Sequence, residues 1–122
     1  MIVLIAGPYR GGTNDDPQLM AQNLKNLEAA ALPLFRKGHL PLIGEWVALP
    51  LIHLAGSTKP GDKAWNEIQY PVAHHLLQKC DAVLRLPGAS NGADNDIRIA
   101  RERGLTIYYR LEDIPDAEAL QK

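Results

Sequence analysis

Apolar positions along this chain alternate between short unbroken runs and longer stretches at helical spacing. Ile2 to Ala6 is an unbroken run closed by Gly7-Pro8, the pattern of a strand buried on both faces of a sheet. A polar, glycine-bearing loop follows, Gly7 to Asp16, and Pro17 marks a helix start. Met20, Leu24, Leu27, Ala31 and Phe35 then recur on one helical face up to Gly38, with Pro33 expected to kink that helix or end it early. Leu40 to Ile43 reads as a second strand, at a sheet edge because Pro41 donates no ladder bond. Gly44 to Gly56 is apolar but interrupted by Pro50, and reads as a short helix over the sheet edge or as a lid. Ser57 to Asp62 is a loop. Ala64 to Lys79 returns to helical spacing through Trp65, Ile68, Val72, His75 and Leu76, with Pro71 inside it. A third strand spans Ala82 to Leu86, a helix Asp94 to Arg103, a fourth strand Leu105 to Tyr109, and a short helix Asp113 to Leu120.

Strands alternating with helices predict a single-domain, three-layer α/β/α fold over residues 1–122, with a flavodoxin- or Rossmann-like parallel sheet and right-handed crossovers. Four to five strands are expected, in the order 2-1-3-4(-5). In that order the chain reverses direction between strands one and three, and ligands bind at such a switch point, beyond the carboxyl ends of the strands. The loops there are Gly7–Asp16 and Pro87–Asp96, the two most unusual in the chain.

Composition narrows the partners. A net charge of −1 gives no electrostatic case for a nucleic-acid polymer or an anionic membrane. The single cysteine, Cys80, excludes an internal disulfide and reads as a buried small hydrophobe. The apolar start runs straight into Gly7-Pro8 without a basic flank, so it reads as a strand and not a signal peptide, and a cytoplasmic protein is expected. His39, His53, His74 and His75 lack a zinc-ligand spacing, so no metal or other cofactor is expected. Trp46 and Trp65 read as core or interface anchors.

The second loop carries the most chemistry. A strand, a glycine-bearing loop and a helix start aim free backbone N–H groups at one spot, which suits a phosphate. Ser90 adds a hydroxyl donor, Gly88 and Gly92 allow close backbone approach, and Asp96 stands one helical turn after Gly92. The plainer alternatives are an acidic residue favouring the positive helix end and a Ser90-Asn91-Gly92 turn without a ligand.

Ile5-Ala6-Gly7-Pro8-Tyr9-Arg10 resembles the opening of the nucleoside 2-deoxyribosyltransferase-like superfamily. Arg10-Gly11-Gly12 is similar to the Arg-Gly-Gly of its 2′-deoxynucleoside 5′-phosphate N-hydrolases. Cys80-Asp81, Leu86-Pro87-Gly88 and Ser90-x-Gly92-Ala93-x-x-Asp96 resemble a small bacterial and phage branch that carries Ser-x-Gly-Ala-x-x-Glu. The resemblance implies an N-glycosidase or deoxyribosyltransferase acting on a nucleoside or nucleoside 5′-monophosphate, with hydrolysis favoured over transfer. It gives Asp96 as nucleophile, Tyr9 on the sugar, and Gly7, Arg10, Gly11, Gly12, Gly88, Ser90 and Gly92 on the 5′-phosphate. The chain departs from the pattern twice. Asp96 replaces Glu, and a carboxylate drawn back by about 1 Å costs on the order of a hundredfold where attack geometry governs the rate. Ala73 occupies the position of a supporting Asp, leaving adjacent His74 and His75 as candidate proton donors. Both departures also suit the alternative, a non-catalytic nucleotide-binding module on the same fold. Relatives are commonly dimers or larger, which implies a homo-oligomer, with Trp46–Leu54 as the candidate contact.

Overall fold

The computed structural model describes residues 1–120. Four strands, β1 (Ile2–Ala6), β2 (Leu40–Ile43), β3 (Ala82–Arg85) and β4 (Thr106–Tyr108), form one parallel sheet in the order β2-β1-β3-β4. This is the anticipated α/β arrangement, and β2 takes the anticipated edge position. Among the described residues no fifth strand joins the sheet.

The unbroken apolar runs follow from burial on both faces. Val3, Ile5, Ala82 and Leu84 point to one side, against α1 (Pro17–Glu28) and α2 (Ala31–Arg36) through Leu27 and Leu34. Leu4, Ala6 and Val83 point to the other, against α4 (Lys63–Lys79) and α5 (Asn91–Glu102) through Leu77, Ile97 and Ala100. Between β2 and α4 lies α3 (Gly44–Leu54), which packs on α4 through Ala48, Ile52 and Trp65. The segment Gly44–Gly56 is therefore a helix at the sheet edge. Cys80 is buried in the second core, and burial with the nearby Asp81 charge pushes its thiol up to about 11, too high to make it a nucleophile.

The third and fourth strands are shorter than expected, at Ala82–Arg85 and Thr106–Tyr108, and the larger differences lie in the helices. The long helix from Pro17 to Gly38 is two helices: the chain breaks at Ala29–Ala30, and Pro33 sits in the first turn of α2, where its missing N–H is not needed. The helix expected from Asp94 starts earlier, at Asn91, because the Ser90 side chain caps it by accepting the Ala93 amide at 3.1 Å. The expected tail helix Asp113–Leu120 is split by Pro115. A 3₁₀ turn at Leu111–Asp113 precedes an extended Ile114, and α6 covers only Ala117–Leu120.

The loops after β1 and β3 are pressed together. A Cβ on Gly11 would collide with the Ala89 carbonyl, and one on Gly88 would lie 2.7 Å from Pro8 Cγ. Gly88 also takes φ +117°, which disfavours any side chain. Gly92, by contrast, is helical with open space where a Cβ would stand. Gly11→Ala is therefore expected to cost about 1–3 kcal/mol of stability by prising the loops apart. Gly92→Ala is expected to be neutral or to stabilise by up to about 1 kcal/mol. Urea unfolding of the two variants checks both.

Candidate functional site

A cavity of about 480 Å³ opens at the carboxyl ends of β1 and β3. Gly7 and the Tyr9–Gly12 stretch form one wall, Ser90, Asn91, Gly92, Ala93 and Asp96 a second, and α3 and α4 the rest. The two loops singled out from topology thus line a single space. That volume is in the range of small-molecule sites.

The first wall is fixed from behind. Asn23 of α1 donates its amide to the Tyr9 carbonyl at 2.8 Å, and the buried Thr13 hydroxyl donates to the Arg10 carbonyl at 2.6 Å. The turn that follows holds Asn14 and Asp15 at φ +50° and +59°, an uncommon conformation outside glycine, though one that Asn and Asp tolerate best. It brings Asp15 back onto Arg10, which donates to both carboxylate oxygens at 2.9 and 3.1 Å. That pair holds the Asp15 carboxyl below its usual range. The Arg10 guanidinium also lies 5.5 Å over the Trp65 ring, and Tyr9 stacks on the same indole at 6.2 Å with 14° between planes. Trp65 is buried as an anchor, as its spacing suggests, and it is also part of the cavity wall. Its Nε1 donates to Gln69 at 2.6 Å, leaving the Gln69 amide nitrogen, on a cavity-lining residue, for other partners.

The second wall follows from the start of α5. With Ser90 as cap and Ala93 served by its side chain, the amides of Asn91 and Gly92 are left without intrahelical carbonyls. Ser90 accepts in this bond, so its O–H remains free to donate to a ligand. Asp96, one turn on, lines the same cavity. Burial, then the charge of Glu45, raise its carboxyl to about 7, against a smaller downward pull from Arg85. The Arg85 side chain is only 10 % exposed; it ties the β3–α5 loop together by donating to the carbonyls of Leu86 and Gly88 and to Asp94 at 2.9 Å.

Not every candidate converges here. Gly88 is absent from the cavity lining; it packs on Pro8 and accepts from Arg85, so its part is to shape the loop. His74 and His75 are exposed and also lie outside the lining, because α4 turns Trp65, Gln69, Tyr70 and Ala73 toward the cavity instead. His74 sits beside Asn95, with 3.4 Å between side-chain nitrogens. Arg10 lines the cavity but is already engaged by Asp15 and Trp65. Glu45 was not anticipated. It stands in the first turn of α3, immediately past the carboxyl end of β2, and burial raises its carboxyl despite an opposing bond from its own amide. The available signal was topological: the junction Ile43-Gly44-Glu45 opens on the same end of the sheet as the two glycine-rich loops. Among the described residues no group of three His, Cys, Asp or Glu side chains is close enough to hold a metal ion.

An acid whose pKa is raised by folding binds its proton more tightly in the native state, so it loses stability as pH rises from about 4 to about 7. Asp96→Asn removes that burden. It is expected to raise the melting temperature by several degrees at about pH 8 and to leave it nearly unchanged at about pH 4, as thermal unfolding monitored by circular dichroism at the two pH values checks.

Compared with known proteins, the chain matches no family model, no curated protein and no solved structure.

Proposed function

We propose that this protein cleaves the N-glycosidic bond of a nucleoside or nucleoside 5′-monophosphate, with the Asp96 carboxylate as nucleophile. The observation that carries the reading is the meeting of Tyr9, the Asn91 and Gly92 amides and the Asp96 carboxyl around one cavity. The ring of Tyr70 and the Gln69 amide nitrogen, both on cavity-lining residues, offer stacking and hydrogen-bonding groups suited to a base. Ser90 and the first amides of α5 offer donors to a phosphate or a sugar hydroxyl. Asp96 supplies an oxygen to attack the anomeric carbon.

In the reaction, an Asp96 oxygen forms a bond to C1′ as the C1′–N bond breaks and its electron pair leaves with the base. The transition state is oxocarbenium-like, and a glycosyl ester of Asp96 results. Water then attacks C1′, the ester bond breaks, and the free sugar departs with the carboxylate restored. Hydrolysis requires only water as acceptor. Attack requires the ionised carboxylate, so base release rises with pH through the titration of Asp96 near 7.

The Asp96 carboxyl favours a binding-only module as the second reading, because burial and the Glu45 charge raise it to about 7 and a protonated carboxyl is not a nucleophile. The exposed apolar face of α3, with Trp46, Val47, Leu51 and Leu54, is the surface through which copies would associate.

Incubation with ribo- and 2′-deoxynucleosides and their 5′-monophosphates, read by chromatography of the free base, tests the activity. Base release is expected, falling at least about 100-fold in Asp96→Ala. Nucleotide binding without release, unchanged in the variant, identifies the binding module instead. Leu51→Glu with Leu54→Glu is expected to shift the protein toward monomer in light scattering; a wild type that is already monomeric removes the association.

A further inference from the structure

We infer that Glu45 is the acid that protonates the departing base. The inference rests on the proposed glycosidic cleavage and adds to it the second half of the chemistry. A nitrogen base leaves poorly as an anion, so a proton must reach it as the C1′–N bond breaks.

The donor must line the cavity, stand on a different element from the nucleophile, and be able to give a proton and take one back. The titratable groups facing the space are Tyr9, Arg10 and Asp15 from the loop after β1, Glu45 from α3, Tyr70 from α4 and Asp96 from α5. Asp96 is already the nucleophile. Arg10 does not release its proton, and its two bonds hold Asp15 ionised. A phenol is a far weaker acid than a carboxyl, and the Tyr9 phenol is weakened further by burial and by the charge of Glu45. His74 and His75 stand outside the lining. Glu45 remains.

Its setting suits the task. Glu45 begins α3 with Gly44 beside it, and a Cβ on that glycine would meet nothing within 4 Å, so the approach is open. Glu45, Tyr9 and Asp96 line the one cavity from three different segments, and the field of a Glu45 carboxylate reaches the other two. Two carboxyls in one partly desolvated space resist double ionisation, so they share a proton, and the reactive form is the one that carries it on Glu45 with the charge on Asp96. The step balances. The Glu45 O–H proton passes to a ring nitrogen of the base, the C1′–N pair leaves with that base, and Asp96 bonds to C1′. In the second step the Glu45 carboxylate takes a proton from the attacking water, and the Asp96 ester opens.

The test uses a leaving group that needs no proton. Guanosine, 2′-deoxyguanosine and their 5′-monophosphates are each compared with the N7-methylated counterpart, whose base is already cationic. Read in the first turnover, before hydrolysis of the Asp96 ester limits the rate, Glu45→Gln is expected to lower release from the unmethylated substrates by about 100-fold or more and to leave the methylated ones within about threefold. Asp96→Ala is expected to lose both. Equal loss on both substrates in Glu45→Gln, or loss on neither, overturns the assignment while the glycosidic reading stands. No release of any base by the wild type overturns both. The wild type's own pH profile gives a check independent of the variant's folding. The fall in rate at alkaline pH is expected with unmethylated substrates and absent with methylated ones; the same fall with both overturns the role.

Discussion

The contact on which the site depends is the one between Gly11 and the Ala89 carbonyl. It closes the gap between two loops nearly eighty residues apart in sequence, and only a residue without a Cβ permits that approach. The sheet delivers both loops to the same end because β1 and β3 are parallel neighbours, with Ala6 opposite Arg85. Everything chemical in the molecule hangs from this abutment. Remove it, and Tyr9 and Asp96 belong to separate surfaces.

Behind the loops, rigidity comes from hydrogen bonds between polar side chains and the backbone. Asn23 and Thr13 fasten the first loop, Arg85 fastens the second, and Ser90 and Asp62 cap the helices that bound the cavity. Four donors to Asp62, the amides of Trp65, Thr58 and Lys59 and the Ser57 hydroxyl, hold its carboxyl down to about 2. The contrast with Asp96 is physical: where donors surround a carboxylate its acidity increases, and where burial and a like charge surround it acidity falls. A chain that leaves Asp96 and Glu45 in the second condition gives up stability at one spot, as functional sites commonly do.

Much of this was legible in the residues. Continuous apolar runs such as Ile2–Ala6 and Ala82–Arg85 demanded cover on both faces, and Pro41 marked β2 as an edge, so strand order and switch point followed. The boundaries that shifted were settled by local bonding: the Ser90 cap moved the start of α5, and Pro115 divided the tail. Gly88 looked like a ligand contact because its type is shared by phosphate loops and tight packing alike, and only its distance from Pro8 separates these. His74 and His75 were candidates because they adjoin Ala73, but a step of one or two residues turns a side chain off the face of a helix; on α4 the cavity face belongs to Trp65, Gln69 and Ala73, four residues apart. Glu45 escaped because a lone acid after a strand carries no motif, and its meaning arises only when α3 is seen to begin at the mouth of the site.

The indole of Trp65 has one further consequence. A phenol stacks on it, a guanidinium rests above its ring, and its nitrogen is bonded to the amide of Gln69, all within the cavity wall. Any molecule entering that space alters the polarity around a strong natural fluorophore. The other indole, Trp46, is about two-fifths exposed and tied to Glu28, outside the lining. The protein therefore carries its own optical gauge of occupancy, with a built-in reference.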